Sequence, residues 1–373
     1  MKTPVEQRHP VARLRAVIAG GGTGGHLFPG IAVAEAIVDQ NPDSRVCFVG
    51  TGRPVEEAVL PAAGFEHHAI TAAGIMGRGL TARFAALLKI PAGICQSLWI
   101  LFRFRCNMVI GVGSYSAGPV ALAARLLGIP VVLCEQNTLP GLTNRFLSRF
   151  CTRAFVAFDN TRLNCSPDRI RVTGNPVRRP LIEAAGLEKP AGDTLTVLVL
   201  GGSQGAHSIN EAVCGMLAGM EKTDRYAFIH QTGTEDADRV RAAYARHGIA
   251  ATVAPFFDDM ATCYRRAHLA VCRAGATTIA ELLVMGIPAI YIPYPHAAEN
   301  HQELNASEMV AAGAAQMITE TELTPDGLLD SIRHLAGAPD KLADMARGAR
   351  ARGNPQAAVE IALECTAIAA GGA

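Results

Sequence analysis

Gly20-Gly21-Gly22-Thr23-Gly24-Gly25-His26 follows the apolar run 14–19 and leads into the apolar stretch 29–38. Strand, glycine turn and helix in that order build a loop at the C-terminal edge of a parallel sheet, with amides facing an anion or nucleotide. Glycine lets those amides approach closely because no Cβ intervenes. The loop ends on His26 at a predicted helix start. There the positive end of the helix disfavours imidazolium and leaves a neutral ring to act as a general base.

The spacing Gly20-x-Gly22-x-x-Gly25 also fits the dinucleotide fingerprint, which needs an acidic residue at the end of the next strand to hold a ribose. That strand, 45–49, runs into Gly50-Thr51-Gly52-Arg53, and no carboxylate is expected at its end. A nicotinamide dehydrogenase is disfavoured on that ground.

The chain around this loop has 373 residues, enough for two domains of ordinary size. With 49% hydrophobic residues, 18% charged and a formal net charge of +1, it reads as a compact protein with no nucleic-acid partner. Its ten cysteines show no Cys-x-x-Cys pair and no metal-ligand spacing, so they are expected as buried thiols in a reducing compartment. Residues 1–15 lack the apolar core of a signal peptide.

Short apolar strands alternate with helical stretches along the chain. Strands are expected at 45–49, 108–111, 130–134 and 154–157, with a helix opening at Pro54, where proline suits the first turn. Glycine or polar loops follow them, notably Gly113-Ser114-Tyr115-Ser116-Ala117-Gly118-Pro119 and Glu135-Gln136-Asn137. Residues 171–179 and the loop-like 189–192 read as a domain boundary. The pattern then restarts: strand 194–200, a second glycine loop Gly201-Gly202-Ser203-Gln204-Gly205, a helix over 208–220, and strands at 226–230, 251–254, 269–272 and 288–292. An alanine-rich helical end, 340–370, is broken at Asn354-Pro355, and its last helix is expected to pack back on the first domain.

Residues 84–102 approach the length of a membrane span, but Lys89, Pro91 and Gln96 interrupt them and Arg78, Arg83, Arg103 and Arg105 flank them. One or two amphipathic helices meeting anionic headgroups fit better; a buried helix pair with solvated arginines is the other reading. Arg273-Ala274-Gly275-Ala276-Thr277-Thr278-Ile279-Ala280-Glu281 opens a helix whose small first residues leave amides for a diphosphate. Glu281 is then either a ribose acceptor or a surface carboxylate near a helix start. His301, Gln302 and Asn305 could share a helix face and serve sugar hydroxyls, or be solvated residues at a capped start. Asp258-Asp259 suits a helix N-terminus. His67-His68 has no carboxylate or cysteine at ligand spacing and reads as surface, so no metal site is expected. Neither a Gly-x-Ser-x-Gly elbow nor a Walker loop is present.

Taken together, the loops resemble the MurG family of bacterial glycosyltransferases, which move N-acetylglucosamine from UDP to undecaprenyl-pyrophosphoryl-N-acetylmuramyl-pentapeptide. The carriers are 20–26 with Pro29, 111–119, 135–137 with Gly141-Leu142-Thr143-Asn144, and Gly174-Asn175-Pro176-Val177-Arg178. In the second half they are 201–205, 256–260, 273–281 and His301-Gln302 with Asn305. The resemblance runs from about Arg15 to the last helix.

It implies an α/β protein of GT-B architecture, two Rossmann-like parallel-sheet domains facing across a cleft. Residues 1–175 would form the acceptor and membrane-facing domain, joined by helix 355–373, and 176–354 the UDP-sugar donor domain. Carried over by motif, Ser203 and Gln204 approach the donor phosphates and sugar, and the Phe257 backbone meets uracil. Ala276, Thr277 and Thr278 hold the diphosphate, Glu281 the ribose, and Arg178 belongs to the same site. His301, Gln302 and Asn305 sit near the sugar and Asn137 reaches its acetamido group. His26 is the candidate base, with Thr23, Gly24 and Gly25 in the acceptor loop. The family commonly has an acidic residue or Arg where Glu299 and Asn300 stand. The implied partners are UDP-N-acetylglucosamine, the lipid-linked muramyl-pentapeptide and the anionic cytoplasmic face of the inner membrane, with no cofactor and no metal. A UDP-N-acetylglucosamine 2-epimerase is the nearest rival, and a nucleotide-sugar binding protein without turnover the other.

Overall fold

The computed structural model describes residues 13–73, 80–187, 194–202, 205–221 and 224–371, with backbone alone over 80–88. The first elements are β1 (Arg15–Ala19), α1 (Gly24–Gln40), β2 (Arg45–Gly50), α2 (Pro54–Ala62), β3 (Glu66–Ala69) and α3 (Leu80–Phe104). They are followed by β4 (Met108–Gly111), α4 (Ala117–Leu126), β5 (Val131–Glu135), α5 (Leu142–Leu147), β6 (Arg153–Val156) and β7 (Ile170–Val172). Next come α6 (Arg179–Ala185), β8 (Leu195–Leu200), α7 (His207–Met216), β9 (Tyr226–Gln231), α8 (Ala237–His247), β10 (Ala251–Ala254) and α9 (Met260–Arg266). The chain closes with β11 (Leu269–Cys272), α10 (Ala276–Met285), β12 (Ala289–Tyr291), α11 (His301–Ala311), β13 (Ala315–Met317), α12 (Pro325–Ala336), α13 (Pro339–Arg352) and α14 (Ala357–Ala369).

Two compact units result. One comprises Met1–Gln136, Pro140–Pro176 and Gln356–Ala373; the other Asn137–Leu139 and Val177–Pro355. In the first, seven strands pair in the order β3-β2-β1-β4-β5-β6-β7, and in the second six pair as β10-β9-β8-β11-β12-β13. Every pairing is parallel. Parallel sheets are covered on both faces, which is why their central strands are unbroken apolar runs.

The alternation along β1 sends Ala16 and Ile18 into one core layer with α1 and α14, where Ile361, Ala362 and Cys365 are fully buried. Val17 and Ala19 point the other way, into a layer with α3 and α4. In the second unit Val197 and Val199 pack with α7 and α12.

Three strands were not expected from sequence: β3, β7 and β13. β7 lies at the start of the stretch read as a boundary, and the division between units falls after Pro176. All three are outermost strands, short and partly polar, and so lack an apolar run. The stretch read as one or two helices is the single 25-residue α3, continuous through Pro91. No helix of the described residues is long and apolar enough to cross a membrane.

Candidate active site

In an open parallel sheet, ligands bind beyond the strand C-termini where strand order reverses. Here those points lie between β1 and β4, and between β8 and β11. Each carries one of the two glycine loops.

In the first unit a Cβ on Gly20 (φ +135°) would stand 2.4 Å from the Gly113 carbonyl oxygen, so the two loops at this edge are in backbone contact. Thr23 holds the N-cap position of α1 in extended conformation, but its hydroxyl does not cap the helix. Its Oγ1 instead lies 3.2 Å from His26 Nδ1. The half-buried His26 ring lies over Gly113, where a Cβ would come within 3.0 Å of Nε2. Buried Gln136 donates Nε2 to the Val112 carbonyl (2.9 Å), while its Oε1 has no partner among the described residues. Arg53 braces the edge by donating to the Gly22 carbonyl and the Tyr115 hydroxyl.

The sequence reading misjudged the end of β2. Glu56, three residues into α2, folds its buried carboxylate back over it, and Oε2 accepts the amides of Thr51 (3.0 Å), Gly52 (2.8 Å) and Arg53 (3.2 Å). Its Oε1 lies 2.5 Å from where a Cβ on Gly21 would stand. A carboxylate is therefore present, but it braces the glycine loop rather than standing open to a ribose. Glu135 is similar: Oε2 accepts from the Gly141 amide and from Asn144 Nδ2, which fixes the turn into α5.

In the second unit Gly205 (φ +81°) brings the loop so close that a Cβ would lie 2.0 Å from the Thr232 carbonyl. Ser203 and Gln204 lie outside the described residues. Gln231, at the end of β9, spans the site: Nε2 donates to the Gly202 carbonyl (3.1 Å) and Oε1 accepts the Phe257 amide (3.0 Å). The Phe257 N–H is thus already used.

At the start of α10, Gly275 is the N-cap, in extended conformation, and brings no side chain of its own to the helix start. Glu281 is buried, not on the helix surface. Arg178 Nη2 donates to its Oε1 (2.9 Å) and the Tyr264 hydroxyl to its Oε2 (2.8 Å). Burial and the neighbouring carboxylate hold the Tyr264 phenol well above its ordinary pKa, so it stays a donor. An ionised carboxylate has about four lone-pair positions, so two donors do not saturate it.

His301, Gln302 and Asn305 do not act as one polar face. His301 Nδ1 lies 2.9 Å from the Ala298 carbonyl, which requires the proton on Nδ1. Gln302 Oε1 accepts the Tyr294 amide. Asn305 is fully buried; it accepts the Thr138 amide (2.9 Å) and donates to Asn137 Oδ1 (3.1 Å), which explains why residues 137–139 group with this unit. Glu299 and Asn300 are both left-handed (φ +51° and +55°) just before α11. Arg273 is committed to scaffolding, with Nη1 on the Ile292 and Pro293 carbonyls and Nη2 on Ser208.

A buried polar chain behind the second loop was not read from the sequence. Asn210 donates Nδ2 to the Thr232 carbonyl (2.9 Å) and to Asp236 Oδ2 (2.8 Å). Its Oδ1 must therefore accept, so His230 carries its proton on Nε2 (2.9 Å) and takes the Tyr244 hydroxyl at Nδ1 (3.2 Å). Burial pushes the His230 pKa down to about 3. Burial also opposes ionisation of Asp236, but hydrogen bonds from Asn210, Arg239 and His207 outweigh it and hold the carboxyl at about 2. The one legible signal was a polar end, His230-Gln231-Thr232, on an otherwise apolar strand.

Asp259 caps α9, accepting the Thr262 amide. The reading of His67-His68 needs correction. The β2–β3 register brings Cys47 and Glu66 beside His68, so His68 does have both a cysteine and a carboxylate as neighbours in space.

Two family models match in order: the glycosyltransferase family 28 N-terminal domain over residues 16–156 and the glycosyltransferase family 28 C-terminal domain over 196–361. A relative from Syntrophus aciditrophicus (strain SB) is 44% identical over 356 residues, covering 95% of this chain and 99% of that protein. It is named UDP-N-acetylglucosamine--N-acetylmuramyl-(pentapeptide) pyrophosphoryl-undecaprenol N-acetylglucosamine transferase. The crystal structure of Acinetobacter baumannii MurG superposes with a TM-score of 0.77 at 32% identity, covering 93% of this chain and 97% of that one. UDP-GlcNAc 2-epimerase from Neisseria meningitidis, bound to UDP-GlcNAc, gives a TM-score of 0.67 over 94% and 99% of the two chains at 16% identity, and so shares the fold alone.

Proposed function

The chain belongs to glycosyltransferase family 28, within the MurG family, and from that premise we infer that it is a UDP-N-acetylglucosamine-dependent hexosyltransferase of peptidoglycan synthesis. It moves N-acetylglucosamine from UDP to the C4 hydroxyl of undecaprenyl-pyrophosphoryl-N-acetylmuramyl-pentapeptide and inverts the anomeric carbon. The observation that carries this reading is likeness over nearly the whole chain to a relative named for that transfer. The epimerase reading rests on shared fold alone.

We propose that His26 is the base. The acceptor hydroxyl's oxygen bonds to the anomeric carbon, the bond to the UDP oxygen breaks, and the hydroxyl proton passes to His26 Nε2. That requires a lone pair on Nε2, hence a proton on Nδ1 donated to Thr23 Oγ1, which fits their 3.2 Å separation. Thr23 is then the residue that selects the tautomer, and Gly24 and Gly25 present helix amides to the acceptor.

On the donor side, the start of α10 at Ala276, Thr277 and Thr278 would receive the diphosphate, with Ser203 and Gln204 from the second glycine loop. Fixed amide dipoles and the Arg178 guanidinium stabilise negative charge as UDP departs. Glu281, oriented by Arg178 and Tyr264, retains acceptor capacity for ribose hydroxyls. The Phe257 carbonyl meets uracil. His301 and Gln302 border the sugar, and Asn305 holds Asn137 toward its acetamido group.

Membrane contact is proposed through α3. Trp99 is 61% and Phe102 78% exposed, and the Arg103 guanidinium lies 5.7 Å from the Trp99 ring centroid. Aromatic side chains beside a cation suit the headgroup layer of an anionic bilayer. This fits a peripheral enzyme on the cytoplasmic face of the inner membrane; residues 74–79 of the same segment lie outside the described residues.

The deciding experiment is transfer of labelled N-acetylglucosamine from UDP to the lipid-linked muramyl-pentapeptide, with EDTA present. Labelled lipid product is expected, and persistence under EDTA supports charge stabilisation by protein groups. Release of UDP without acceptor, or formation of N-acetylmannosamine, would replace this reading with the epimerase.

A further inference from the structure

Away from the glycine loops, the first sheet gathers three side chains of different chemistry at one edge. β3 is the outermost strand, and its register with β2 sets Glu66 beside Cys47 and His68 beside Val49. Paired residues of parallel strands share a face and so do residues two apart, which places Cys47, Glu66 and His68 on the same side. Cys47 Sγ, a Glu66 carboxylate oxygen and a His68 ring nitrogen all lie within 4.8 Å of one another. Cys47 is fully buried, Glu66 exposed and His68 half-buried, so a soft buried donor lies beside an oxygen and a nitrogen donor that reach the surface. His68 Nε2 already lies 3.2 Å from Glu66 Oε1, and Arg45 Nη2 holds the other carboxylate oxygen at 3.2 Å.

Tetrahedral zinc, with bonds of about 2.0–2.3 Å, spaces its ligand atoms about 3.4–3.7 Å apart. Three donors no more than 4.8 Å apart need only small side-chain rotations to reach that geometry. Sulfur with imidazole excludes magnesium and calcium, which take oxygen ligands, and selects a borderline cation.

We propose that Cys47, Glu66 and His68 form a binding site for a zinc-class divalent cation, which clasps the edge strand β3 to β2. On binding, the Cys47 thiol proton leaves to solvent as the sulfur–metal bond forms. His68 coordinates as neutral imidazole, Glu66 gives one oxygen, and water completes the tetrahedron. The site is independent of the transfer reaction, and its cation acts on stability. Arg45 sets the affinity, since its guanidinium competes for the same carboxylate.

The test is titration of the full-length reduced protein with cobalt(II) chloride, followed in the near ultraviolet for the thiolate-to-cobalt charge-transfer band. One equivalent is expected, displaced by zinc chloride, with a rise in melting temperature when zinc is present. Cys47→Ser should abolish the band. His68→Gln, a change at the surface that leaves the core intact, should weaken cobalt binding at least about tenfold. Arg45→Gln should tighten it. Absence of the band overturns the proposal. So does a band of equal affinity in His68→Gln, which would trace it to another of the ten cysteines.

Discussion

The two glycine loops follow equivalent strands, at the reversal of strand order in each sheet, yet they are braced by opposite means. The loop after β1 rests on a charge: Glu56, buried, accepts three amides and abuts Gly21. The loop after β8 rests on a neutral amide, Gln231, which ties Gly202 to Phe257. Coulomb's law gives the difference a purpose. A carboxylate about 6 Å from a phosphate charge costs about 3 kcal/mol at an effective dielectric of 20. A loop proposed to receive a diphosphate would therefore benefit from a brace without charge. A loop proposed to carry the base would gain from a nearby anion, because a positive charge develops there as the proton arrives.

The largest expected effect divides the two loops by kinetic parameter. His26→Ala should cut turnover about 10²-fold or more while leaving donor affinity little changed. Glu281→Ala should do the reverse, raising the UDP dissociation constant on the order of tenfold by removing a buried charge-assisted acceptor. Stopped-flow UDP binding beside steady-state transfer rates separates them. Unchanged turnover in the first variant removes the base assignment, and unaltered UDP affinity in the second removes the ribose role.

Exchanging the braces sharpens the comparison. Gln231→Glu keeps the acceptor for the Phe257 amide but sets a carboxylate against the Gly202 carbonyl and near the diphosphate. Its donor KM should rise on the order of 100-fold. Glu56→Gln keeps the shape of the first brace without its charge, and should lower turnover about tenfold with donor KM unmoved. Equal effects of both variants on donor KM would mean that the charge difference between the loops is incidental.

What the sequence revealed follows from where its signals lie. Central strands such as β1 and β8 are buried on both faces, so an apolar run announces them. β3, reading Glu-His-His-Ala, sits at an edge with one side open and carries no such run. The glycine loops were legible because only glycine tolerates the close approaches at Gly20 and Gly205. Their braces were not. Glu56 reaches back from the following helix, and Gln231 acts from a neighbouring strand, so neither shares a motif with the loop it supports. The Glu135 and Asn144 stretches were visible as motifs, but their mutual hydrogen bond exists only once α5 has folded. Glu281 stands out as a candidate by its place after the small residues of α10, whereas its partners Arg178 and Tyr264 lie far off in sequence.

The last effect is on stability rather than on transfer: it concerns pH and follows from the neutral brace extending inward. Thr232, which the second loop touches at Gly205, is held by Asn210, and Asn210 in turn by His230. That histidine has a pKa of about 3 when folded, from burial, against its ordinary 6.5. A base with a depressed folded pKa is protonated first in the unfolded chain. Between pH 6.5 and 3 the unfolded state binds the extra proton, and stability falls as pH falls across that window. The slope from this one group approaches about 1.4 kcal/mol per pH unit, and above pH 6.5 the contribution is complete and flat. Urea unfolding at intervals between pH 4 and pH 7 should therefore show His230→Gln with a shallower dependence than the parent chain. Hydrogen exchange of the Gly202 and Gly205 amides should rise in acid before that of Gly20 and Gly21. If His230→Gln keeps the full slope, or the first loop opens first, the buried chain is not what holds the second loop in place.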